Sequence, residues 1–165
     1  MTEETLRAAL VDAIKSRALF YYAFYKEFSA EIGPEETTRI MKNAIHKRGW
    51  ELGARFRQFA PNDFEGLKKA FLEGVPDPEA TFNPELHRCD QAGFDITLRT
   101  CPLKDAWLDA GLSDDEVAAM TDIAGQVDKG MFEGAGFSFE TDTWRPGRAG
   151  CCHLRVRPVT SDKAA

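Results

Sequence analysis

No stretch of the chain approaches the roughly 18 consecutive apolar residues that a membrane-crossing helix needs, so no transmembrane segment is expected. A surplus of positive charge is also missing. Against 27 Asp and Glu stand 21 Lys and Arg, a net charge of −6, which argues against nucleic acid or an anionic membrane as partner. The opening MTEETLRAAL is acidic and lacks an apolar signal core, so a cytoplasmic protein is expected. Gly-rich phosphate loops, nucleophile elbows, HExxH pairs and dinucleotide fingerprints are absent, as are internal repeats. Cysteine is scarce, at four residues (89, 101, 151 and 152). Without export signals these are expected to be free thiols rather than disulfides.

What is present suits one domain, 1–165, with a core of ordinary size. Residues 1–75 read as helical and 86–159 as mixed. Leu6, Leu10, Ala13, Arg17, Tyr21, Phe24 and Phe28 recur at helical steps over 3–31. Gly33-Pro34 ends that helix and starts a second running to about Ala60, and residues 63–75 form a third. Asp90-Gln91-Ala92-Gly93 reads as a hairpin turn between strands 86–89 and 94–100. A short helix follows over 103–110. Ser113 with Glu116 forms a capping box (S-x-x-E) for a helix whose stripe is Val117, Met120, Ala124, Val127 and Met131. Strands 137–143 and 151–159 complete the chain. The expected class is therefore α+β: an N-terminal helical hairpin plus short helices on an antiparallel sheet of three to four strands.

Strand alternation sorts the reactive residues. Cys152, in phase with Leu154 and Val156, is expected in the core, and Cys151 on the polar face with His153, Arg155 and Arg157. Arg99 and Cys101 share that polar phase on the hairpin. On the second helix His46, Gly49 and Gly53 lie along one side, leaving a bare groove that suits a ligand or another backbone. Asp128 follows small residues and can project into a space. His87-x-Cys89 and Cys151-x-His153 would form a Cys₂His₂ zinc set if their strands were neighbours. No cofactor is otherwise expected.

The string TCPLKDAWLDAGLSDDEVAAMTDIAGQVDKGMFEGAGFSFETDTWRPGRAGCCHLRV resembles the L-2-amino-thiazoline-4-carboxylic acid hydrolase family. The matching features are Cys101-Pro102 at a strand end, a capped helix, Asp128 late in the next helix, a Phe-rich strand and a Cys-bearing last strand. The helical leader with His46 and Gly49 fits as well. The segment MTDIAGQVD departs from the family pattern, having no cysteine before the aspartate. The resemblance implies hydrolytic opening of a small nitrogen heterocycle such as a cyclic amidine, lactam or imide carrying a carboxylate. It implies Cys101 as nucleophile, His46 or His153 as base and acid, and Asp128 against the amidinium or an imidazole. Arg99 or Arg155 would receive the carboxylate, with Cys151 and Gly49 beside the substrate. The Cys-Pro, helix and Cys-strand order is also similar to vinyl-reductase-type binding domains, which implies a non-enzymatic small-molecule- or metal-binding sensor. An inactive member that dimerises through its sheet face is the third reading, and a homo-oligomer is compatible with all three.

Overall fold

The computed structural model describes residues 2–159. Helix α1 (Glu3–Ile32) starts at Thr2, whose side chain accepts from the Thr5 amide. Gly33 leads into α2 (Pro34–Gly53), with Pro34 in the first turn where its missing N–H costs nothing. The periodic segment expected to continue to residue 60 tightens instead into a 3₁₀ turn, Ala54–Phe59. Helix α3 (Phe64–Glu73), capped by Asp63, comes next. A loop then leads to strands β1 (Pro84–Asp90) and β2 (Gly93–Leu98).

Helix α4 (Pro102–Asp109) begins at Cys101, and α5 (Asp114–Ala124) begins at the expected Ser113–Glu116 capping box. The single helix read through Met131 is in fact two. The chain breaks at Gly125 and resumes as α6 (Gln126–Gly134). Strands β3 (Ser138–Asp142) and β4 (Cys152–Arg157) follow. The sheet is antiparallel with order β1-β2-β4-β3. The class is α+β, as the sequence predicts.

Two cores result. Phe94, Ile96, Phe137, Phe139, Leu154 and Val156 cover one sheet face and meet Leu67, Phe71 and Phe132 from α3 and α6. A second, helical core joins Ile14 and Ala18 of α1 to Met41, Trp107, Val117, Met120 and Ile123. Trp107 is fully buried, and its indole N–H donates to the Ala18 carbonyl at 2.8 Å. That bond satisfies the one polar side-chain atom of this buried tryptophan.

Helices α2 and α6 meet backbone to backbone. A Cβ at Gly49 would run into the Val127 carbonyl and one at Gly53 into that of Met131. Reciprocally, Gly130 faces the His46 carbonyl and Gly134 that of Trp50. Each helix thus contributes a G-x-x-x-G pair, which lets two backbones approach more closely than any larger residue allows. Of the two occupants that the bare side of α2 suits, the structure shows another backbone, that of α6, in place of a ligand beside Gly49.

Candidate functional site

A cavity of about 290 Å³ lies at the seam between the two cores. Phe71, Leu98 and Met131 reach it from the sheet side, and Leu103, Trp107 and Ala124 from the helical side. Its polar lining is small and specific: Cys101, Cys152, Thr121, Asp128, Arg17 and Arg55. Gly74, Val75, Pro76 and Phe82, from the loop before β1, close another wall. That loop is tied to α1 by Arg7, which donates to Asp77 at 2.5 Å.

Cys101 reaches the cavity because β2 ends at Leu98 and Pro102 starts a helix almost at once. The residue caps α4, its sulfur accepting from the Lys104 amide at 3.5 Å. A hydrogen bond from the Cys151 thiol, opposed by burial and helped by the Lys104 and Leu103 amides, holds the Cys101 thiol below its ordinary range. A helix N-terminus stabilises a thiolate in the same sense. Asp128 is the acid counterpart. Burial pushes its carboxyl up to about 6, against a modest pull downward from the Arg17 charge. The group therefore titrates close to neutrality, as carboxyls set in apolar surroundings do.

Cys151 lines a second cavity with Thr97, His153 and Arg155 of the polar sheet face, but its side chain is turned inward. It is 2% exposed and belongs to the helical core with Cys101. The expected alternation fails because β4 starts only at Cys152. Gly150, at φ +76°, turns the chain so that the Cys151 amide donates to the Leu98 carbonyl at 2.8 Å. An added Cβ at Gly150 would meet Thr97 and the Leu98 carbonyl. The doubled cysteine is also not split between two fates, since the two Sγ atoms are 3.3 Å apart. Cys152 is half-buried, packs against both cores and lines the cavity.

The other expected residues gather elsewhere. His46 does not line the cavity; its Nε2 pairs with Glu133 at 2.6 Å across α2 and α6. His153 and His87 stack on the opposite sheet face, centroids 5.5 Å apart, both hydrogen-bonded to Thr97. Arg99 pairs with Glu85, and Arg155 with Asp142 at 2.8 Å, so neither is at the cavity. The zinc set is not assembled. Strand β2 separates β1 from β4, Cys89 sits beside Glu65 and Lys68, and Cys151 is turned inward. Among the described residues no group of three or more His, Cys, Asp or Glu converges as a metal site.

Both cavity arginines went unassigned in the sequence. Arg17 falls within the apolar stripe of α1, and a cation at such a phase is the signal that marks it. Arg55 carries no such signal; its guanidinium lies over the Phe56 ring, 4.6 Å from the centroid. Among the described residues neither arginine has a carboxylate partner within 4.0 Å.

Compared with known proteins, residues 12–156 match the family model described as L-2-amino-thiazoline-4-carboxylic acid hydrolase. No curated protein and no solved structure matches the chain.

Proposed function

The chain belongs to the L-2-amino-thiazoline-4-carboxylic acid hydrolase family, and from that premise we propose that it opens a small carboxylated nitrogen heterocycle by adding water across a ring bond. The carrying observation is that one cavity brings together a helix-capping cysteine with a lowered pKa and a carboxyl titrating at about 6. A cyclic amidinium carboxylate has a positive end and a negative end. Asp128 suits the first, and Arg17 with Arg55 suits the second through charge-assisted, fork-shaped hydrogen bonds.

In this reading the Cys101 thiolate adds to the amidine carbon, and the Asp128 carboxylate holds the amidinium. The tetrahedral adduct collapses with cleavage of the ring C–S or C–N bond, and the departing heteroatom takes up a proton. Water, its proton drawn off by Asp128, then attacks the same carbon, and Cys101 leaves as thiolate. One water is added overall, and the product is a ring-opened carbamoyl amino acid.

The test is a mass-spectrometric screen of 2-amino-thiazoline-4-carboxylate, other cyclic amidines, lactams and imides for gain of one water. Cys101→Ser is expected to abolish turnover while keeping the far-ultraviolet spectrum. Iodoacetamide is expected to label Cys101 before Cys89 at pH 7, because burial and Glu65 push the Cys89 thiol up to about 11. Substrate should protect Cys101. Full activity in Cys101→Ser would remove the nucleophile assignment, and tight ring binding without any turnover would favour a sensor domain instead.

A further inference from the structure

The doubled cysteine at 151 and 152 is left unused by the proposed ring opening. Both residues line the second cavity, about 360 Å³ in volume, together with Thr97, Asp142, His153 and Arg155. Neighbours within a strand point to opposite faces. Here β4 starts only at Cys152, and Gly150, at φ +76°, turns the chain just before Cys151. The two sulfurs consequently come to one place, 3.3 Å apart. We propose that Cys151 and Cys152 form a dithiol site that captures a trivalent arsenic or antimony compound through two metalloid–sulfur bonds, its third substituent lying in the second cavity. The site uses none of the residues to which ring opening is assigned.

The bite of the pair selects the centre that it holds. Sulfurs 3.3 Å apart subtend about 90° at an atom roughly 2.3 Å from each, the length of a zinc–thiolate bond. A tetrahedral zinc ion with bonds of that length would hold them about 3.8 Å apart. Three-coordinate trivalent arsenic and antimony bond through p orbitals and keep near right angles, and soft sulfur ligands suit such centres. Ligand count agrees. Structural zinc is closed by four protein donors, and among the described residues no group of three or more His, Cys, Asp or Glu converges on a metal. A monosubstituted arsenical needs only two sulfurs, because it brings its third substituent with it.

Charge points the same way. Cys151 is 2% exposed and Cys152 is half-buried, so a pair of free thiolates awaiting a divalent cation would be costly there. Capture of an arsenical leaves no net charge behind. In the hydrated form, R–As(OH)₂, each thiol sulfur bonds to arsenic as one As–O bond breaks. The two thiol protons leave with the two departing oxygens as water, and no atom changes oxidation state. Cys152 also lines the first cavity, so the pair is open to approach from either side.

The experiment titrates reduced full-length protein with phenylarsine oxide and follows intact mass and free thiols. One arsenical per chain is expected, adding the mass of phenylarsine oxide less one water and consuming two thiols. The dithiol 2,3-dimercaptopropanol should release it, and the monothiol 2-mercaptoethanol should not. Cys151→Ser and Cys152→Ser should each weaken capture by about 10²–10⁴-fold, the gain that linking two binding events gives. Cys89→Ser and Cys101→Ser should leave capture unchanged. If serine at 151 or 152 prevents folding, the double variant Cys89→Ser, Cys101→Ser decides, because only the 151–152 pair remains in it. No capture by that chain, undiminished capture by folded Cys152→Ser, or zinc held by the pair more tightly than the arsenical would overturn the proposal.

Discussion

At the scale of single residues, the desolvated Asp128 carboxyl ties the proposed function to stability. With a folded-state pKa of about 6 against an ordinary 3.8, the native protein binds an extra proton between those values. Stability therefore falls as pH rises through that window, by on the order of 3 kcal/mol at full ionisation. Asp128→Asn is expected to be more stable than the wild type at pH 7.5 and nearly equal to it at pH 4, as urea unfolding at the two pH values would reveal. Activity runs the other way. Under the proposed mechanism the carboxylate is the working form, so kcat/KM should rise through pH 6, and Asp128→Asn should lack that limb and lose about 10²–10⁴-fold. An Asp128→Asn variant no more stable at pH 7.5 than the wild type would mean the carboxyl is better solvated than the cavity geometry suggests. The position was readable from the small residues around it; its pKa was not, because desolvation depends on what α1 and the loop before β1 place opposite.

At the scale of elements, the crossing of α2 and α6 governs where Asp128 points. The strings GWELG and GMFEG each carry a G-x-x-x-G pair, and reading only the first left an apparent groove. Gly130→Ala would push a methyl into the His46 carbonyl, where backbone rather than a flexible side chain must yield. A loss of at least about 2 kcal/mol is expected, measured by chemical denaturation, together with a drop in turnover as α6 and its aspartate shift. A neutral Gly130→Ala would show that the helices stand further apart. The break at Gly125 escaped sequence reading for a related reason. The apolar stripe continues in register from Val117 to Met131, and nothing in that periodicity marks the break.

At the scale of the whole molecule, the cavity exists only because a helical core and a sheet core meet without fully merging. Its two arginines come from α1 and the 3₁₀ turn, its carboxyl from α6 and its thiols from the segments leading into α4 and β4. A carboxylated ring bridging them should therefore raise the melting temperature. At about 100 times Kd the gain is about 2.7 kcal/mol, or roughly 5–10 °C for a domain of this size. Arg17→Ala with Arg55→Ala should weaken binding of the carboxylated ring by at least tenfold, equivalent to about 1.4 kcal/mol, and leave the shift by a decarboxylated analogue in place. Equal losses for both ligands would place the carboxylate elsewhere. The sequence by itself determined the order of helices and strands, the capping box, the α+β class and the family, because periodicity, caps and a family string are local properties of the chain. Only the tertiary structure decided that His46, His153, Arg99 and Arg155 lie away from the cavity, that Cys151 turns inward into the core that holds Cys101, and that Arg17 and Arg55 line the cavity. Which side chains share a space depends on strand order and helix crossing, and both are set by packing between residues far apart in the chain.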